Sequence, residues 1–253
     1  MKNTFLIMMG LLISFAAFTQ TYDYKSAWES VKRYQTERKP ESAIKVLKDI
    51  EQAAIREDNK AQHLKVFGIM PGIIVQDNDN KATVHIDYLL ENIASFKSPQ
   101  KQIGHLVIFH YLMEHYQQNQ YLIQDRTNLN NEIPQDIQEW SPENYEGALL
   151  MHLENAMKNH NDLLVPVEDY NAILNEYNIA GSGLRPYLLD VVVFRIMGLL
   201  QNPLLSASDF HSEVNMRKFF DPWNEFLDYD IPADFSKGRI LKLYQTILKI
   251  HSE

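Results

Sequence analysis

The sequence predicts an all-α fold, an irregular TPR-like or α-solenoid array of antiparallel helix pairs. Apolar residues recur at steps of three and four, cap-and-proline signals open several segments, and no useful length alternates with period two. Composition agrees. The 253 residues include only nine Gly against thirteen Tyr and twelve Phe, a balance that suits packed helices better than a turn-rich β fold.

Residues 23–57 read as a helical hairpin. Tyr24, Ala27, Trp28, Val31 and Tyr34 share one face of the first arm, and Ala43, Val46, Leu47, Ile50 and Ala54 share one face of the second. Lys39-Pro40 makes the turn, with Pro40 suited to the first helical position. Trp28, Tyr34, Pro40 and Ala43 give this hairpin a TPR flavour that later segments do not repeat in register. A third helix covers 61–75, where Gly68 and Pro71-Gly72 suggest a kink or early stop. Residues 76–80 form a polar loop. Helices follow at 81–96 and 99–118, the latter with Ser98 as N-cap and Pro99 at the first position.

The segment 119–140 has no periodicity and marks a possible sub-boundary. Ser141-Pro142-Glu143 then opens a helix to about 159, and another runs 166–177. After Gly181-Ser182-Gly183 comes a strongly apolar helix over 186–201. A short helix holds Trp223 and Phe226, and Ser236 starts a last one to about 250. Leu241, Leu243, Tyr244, Ile247, Leu248 and Ile250 crowd that helix and predict an exposed apolar strip.

Residues 1–19 read as a cleaved secretory signal peptide: Lys2, an apolar run from Phe5 to Phe18, and small residues at Ala17 and Thr19 before Gln20. The run is too short for a membrane span, which needs about 20 apolar residues. Residues 20–253 are then the mature region, exported to a periplasm or cell surface, with no membrane span after cleavage. The absence of Cys excludes thioether lipidation, disulfides and thiol chemistry. A formal charge of −9 without a basic stripe argues against nucleic acid as a partner.

The most enzyme-like cluster is His105, His110, Glu114 and His115. His110 and Glu114 share a helix face, but His110 and His115 point about 140° apart at roughly 100° per residue, so a regular helix does not bring them to one metal. A metal-dependent hydrolase using His110 and Glu114 is the minor alternative. Asp77-Asn78-Asp79-Asn80-Lys81 begins like a calcium loop, but Ala82 and Tyr88 stand where Gly and Glu are needed. Asp190 and Arg195 lie in an apolar helix and require partners, with Arg185 a further candidate. These three are the expected structural ion-pair residues. No catalytic, cofactor-binding or metal-binding residue is assigned.

Several ordered segments carry a resemblance: Tyr22-Asp23-Tyr24 leading to Trp28; Pro40-Glu41-Ser42-Ala43 with Val46, Leu47 and Ile50; Tyr116-Gln117-Gln118-Asn119 followed by Arg126-Thr127; Ile137 to Ser141; Leu184-Arg185-Pro186 with Leu188, Asp190 and Arg195; and Leu243-Tyr244-Gln245 with Ile247-Leu248. Together they resemble the helical N-terminal region of the large exported macroglobulins of Bacteroidetes-type bacteria, in the alpha-2-macroglobulin family. The resemblance implies a periplasmic or surface protein that traps proteases. The chain has no Cys for a thioester, so no functional residue of that family carries over. The expected role is a non-enzymatic interaction or support module whose partners are the remaining macroglobulin domains, a protease or an envelope protein. The alternative is a free-standing TPR-like protein-binding scaffold of the cell envelope.

Overall fold

A computed structural model describes residues 21–77, 83–127, 133–174, 185–206 and 222–252. The leader at 1–19, the calcium-like residues 78–81 and the break at 181–183 lie outside the described residues. Among the described residues all regular structure is helical, apart from one isolated bridge between Pro166 and Tyr187. No described helix is long and apolar enough to cross a membrane.

The leading helices are α1 (Tyr24–Thr36), α2 (Pro40–Arg56) and α3 (Lys60–Asp77). Asp23 caps α1 by accepting from the Ser26 N–H at 3.1 Å. Pro40 opens α2, as expected. The turns after α1 and α2 repeat one pattern. Arg38 and Asp58 each adopt a left-handed backbone (φ 54 and 51), and the next amide closes the turn onto Tyr34 or Ala54. Glu57 binds the chain start to the second turn, accepting from the Tyr22 N–H at 2.9 Å and the Tyr24 hydroxyl at 2.8 Å.

Helix α3 neither ends nor begins where the proline signal suggested; it runs through Pro71 to Asp77. Pro71 has no N–H to return to the preceding turn. The Tyr111 hydroxyl, from a neighbouring helix, donates to the Gly68 carbonyl at 3.0 Å and supplies a partner beside that defect. Tyr111→Phe is expected to cost about 1 kcal/mol, read from the urea unfolding midpoint.

Helix α4 (Val84–Asn92) passes into a 3-10 turn, Ile93–Ser95. The long α5 (Gln100–Ile123) starts one residue later than expected: Pro99 is its N-cap, after a cis Ser98–Pro99 bond, and Ser98 makes no capping bond. It also extends five residues into the segment read as irregular. Beyond it, Arg126 Nη1 donates to the Trp140 carbonyl and Trp140 Nε1 to the Pro134 carbonyl. Helix α6 (Pro142–Met157) has the expected start, with Ser141 and Asn144 capping each other reciprocally. A 3-10 turn, His160–Leu163, follows α6; of the helix read over 166–177, the described residues to 174 hold only a second 3-10 turn, Val167–Tyr170, and 175–177 lie outside the described residues. Helices α7 (Leu188–Leu199), α8 (Pro203–Ser206), α9 (Trp223–Leu227) and α10 (Ser236–Ser252) follow.

Two apolar cores result. Val31, Leu47, Ile50, Val66, Met70 and Ile73 form the first, within α1–α3. The larger gathers Leu64, Phe67, Ile108, Tyr145, Leu189 and Ile196 among many others, and takes Ile123 and Trp140 from within 119–140. Helix α10 is partly covered. Ile240, Ile247 and Ile250 pack onto the main core, Leu243 is buried, and Tyr244 is 44 % exposed. Its start is held tightly: the Ser236 hydroxyl donates to the Leu205 carbonyl, and a Cβ on Gly238 would collide with the Pro232 carbonyl oxygen. Gly238→Ala is expected to cost about 3 kcal/mol, the upper end for overpacking, because backbone rather than a side chain must yield. Thermal unfolding of the variant checks this.

Candidate functional site

The histidines on α5 divide by face. His110 and Glu114 lie exposed on its outer side, as their spacing requires. His105 and His115 point inward and are buried. The Nδ1 of His115 lies 2.7 Å from the Tyr145 hydroxyl. His105 meets a residue that spacing could not reveal: its Nδ1 lies 2.9 Å from the Nδ1 of His152 on α6. One imidazole donates and the other accepts. Burial holds both rings to about 4, far below the ordinary histidine value, and each nearby positive charge presses the same way. Among the described residues no three His, Asp or Glu side chains come together as a metal site.

The ion-pair residues also separate. Asp190 is buried in the first turn of α7, accepting from the Tyr187 N–H at 3.2 Å and facing His251 Nε2 at 2.8 Å. Its side-chain partner therefore comes from the end of α10, not from an arginine. Arg195 is exposed one turn on, and Arg185 stacks over the Phe194 ring at 4.3 Å. Among the described residues neither arginine forms a salt bridge.

Arg195 instead borders a groove of about 660 Å³ between α3, α5, α7 and the segment 172–174. Its walls are apolar, including Leu64, Ile103, Val107, Ile173 and Val191. Lys65 is the other charged group, its ammonium held over the Trp28 ring at 4.5 Å. Burial lowers the Lys65 pKa. The Trp28 ring is itself fixed, since its Nε1 donates to Gln62 Oε1 at 2.6 Å. Among the described residues no Asp or Glu lines the groove. In a chain of net charge −9, this is an apolar furrow with a locally positive margin.

No family model, curated protein or solved structure matches this chain.

Sequence reasoning reached Arg195 but gave it the wrong company. Lys65, Trp28 and the groove walls went unassigned because they come from four segments remote in the chain. One signal was present: α3 and α7 are apolar on more than one face, which leaves surplus surface after the core is filled.

Proposed function

We propose that this chain is a non-enzymatic, exported helical module that holds a segment of another protein in the groove between α3, α5 and α7. One observation carries the reading: an apolar furrow whose charged lining groups, among the described residues, are Lys65 and Arg195. Its complement is an amphipathic helix with an apolar stripe and acidic flanks, the helix-in-groove mode of recognition. The repeated turns after α1 and α2 support a scaffold of the TPR-like kind, in which stacked helices present one continuous surface. The resemblance to macroglobulin N-terminal regions makes the remaining macroglobulin domains, or a captured protease, the proposed source of that segment.

A fluorescent synthetic helix of about 15 residues, with Leu at i, i+3, i+4 and i+7 and Glu between, tests the groove by anisotropy. Binding is expected, and Arg195→Glu combined with Val107→Glu is expected to weaken it by about tenfold or more. A twin peptide with Lys in place of Glu should bind poorly. Equal binding of the two peptides, or indifference to the paired substitution, would overturn the reading.

A further inference from the structure

A second cavity, of about 550 Å³, opens between α6, α7 and α10, and has a different character. Its walls are wholly aliphatic: Leu150, Leu153, Met157, Ile196, Leu200 and Leu243. Among the described residues it has no Phe, Tyr or Trp on which a nucleobase or sugar would stack. Three cations border it. Lys158 caps the end of α6, while Arg239 and Lys242 sit three residues apart on α10, on the side that carries Leu243 and Thr246 toward the cavity. Among the described residues Glu154 is the one carboxylate in the lining, and the uncharged polar groups are Asn155, His160 and Thr246. Among the described residues none of the three cations forms a salt bridge. Glu146 feels the charge of Arg239 but makes no ion pair with it, and burial raises its carboxyl pKa.

Lys158, Arg239 and Lys242 line one pocket of an acidic chain that has ample carboxylates to set against them. Among the described residues the lining supplies one, Glu154, while Glu146 reaches Arg239 from outside it. The arrangement therefore suits an anion supplied from outside. The aliphatic walls say what that anion is attached to, and the volume falls within the roughly 300–1,000 Å³ usual for small-molecule sites. We propose that this pocket binds a free long-chain carboxylate, its alkyl chain against α6 and α7 and its head among Lys158, Arg239 and Lys242. Met157 gives the wall an unbranched, adaptable side chain suited to a flexible chain.

The probe is oleate, kept below its aggregation threshold and added to displace anilinonaphthalene sulfonate from the full chain. Oleate is expected to displace the dye, and methyl oleate to do so at least about tenfold less well, since it lacks the charge. Arg239→Gln with Lys242→Gln is expected to weaken oleate by about tenfold, with unchanged far-ultraviolet circular dichroism. Glu154→Gln, an exposed substitution that leaves the core untouched, is expected to tighten it about threefold. The paired substitution Arg195→Glu and Val107→Glu in the other groove should leave displacement unaltered. Equal potency of the ester, no effect of the charge substitutions, or displacement abolished through the other groove would each overturn the assignment. Oleate delivered within vesicles but inactive as a monomer would overturn it also, placing the recognition at a lipid surface.

Discussion

Lowering the pH from about 7 to about 5 is expected to destabilise the fold by on the order of 3 kcal/mol through His105 and His152 alone. Both rings are buried, 9 % and 3 % exposed, and both are held to about 4 in the folded protein. In the unfolded chain they titrate near the ordinary 6.5. Above that value neither state is charged and the pair contributes no pH dependence. Below it the unfolded chain takes up protons that the folded chain refuses, so stability falls with pH until about 4, where the folded rings also titrate. The geometry gives the same sign independently. With the two Nδ1 atoms 2.9 Å apart, protonating the acceptor points two N–H groups at each other. His63, His85 and His115 are lowered by burial and add to the trend, whereas Glu51 and Glu146, raised by burial, act against it. Urea unfolding midpoints across this range measure the slope. Replacing both residues, His105→Leu with His152→Leu, should remove roughly half of it; an unchanged slope would mean the pair is not held neutral.

Asp190→Ala is expected to cost about 2 kcal/mol, because it removes a buried acceptor that the Tyr187 amide and the His251 ring both face. The carboxylate joins the first turn of α7 to the last turn of α10, 61 residues away in sequence. It also satisfies the Tyr187 amide before α7. His251→Gln should cost less, since the Tyr187 contact survives. A double-mutant cycle on the two positions is expected to return a coupling above about 1 kcal/mol. Additive costs would show that Asp190 acts through the Tyr187 amide alone.

The local part of this architecture was legible and the assembled part was not. Pro40 and Ser141-Pro142 fix helix starts through their own backbone and side-chain chemistry, so sequence reading placed them correctly. Ser98-Pro99 carries the same signal, but Ser98 makes no capping bond and the helix starts at Gln100. Gly68 and Pro71-Gly72 read as a kink or early stop, yet α3 continues to Asp77, and the contact beside the proline comes from Tyr111, 43 positions from Gly68. Spacing arguments drew attention to His110 and Glu114, which share an exposed face. His105 and His152 carry no short motif. Their flanks do: Ile103, Leu106 and Ile108 around one and Leu149 and Leu153 around the other place both histidines at core positions. Asp190 was recognised as a buried charge needing a partner, but a partner on the last turn of another helix leaves no trace in local sequence.

Helix α3 turns Val66, Met70 and Ile73 toward one core and Leu64 and Phe67 toward the other. It is a party wall. Neither side can melt while the other stands without stripping one face of the shared helix, so the leading hairpin and the remainder lose structure as one cooperative unit. A proline near the middle of that wall, braced from outside by Tyr111, makes the strength of the joint depend on a hydroxyl that belongs to only one of the two neighbours.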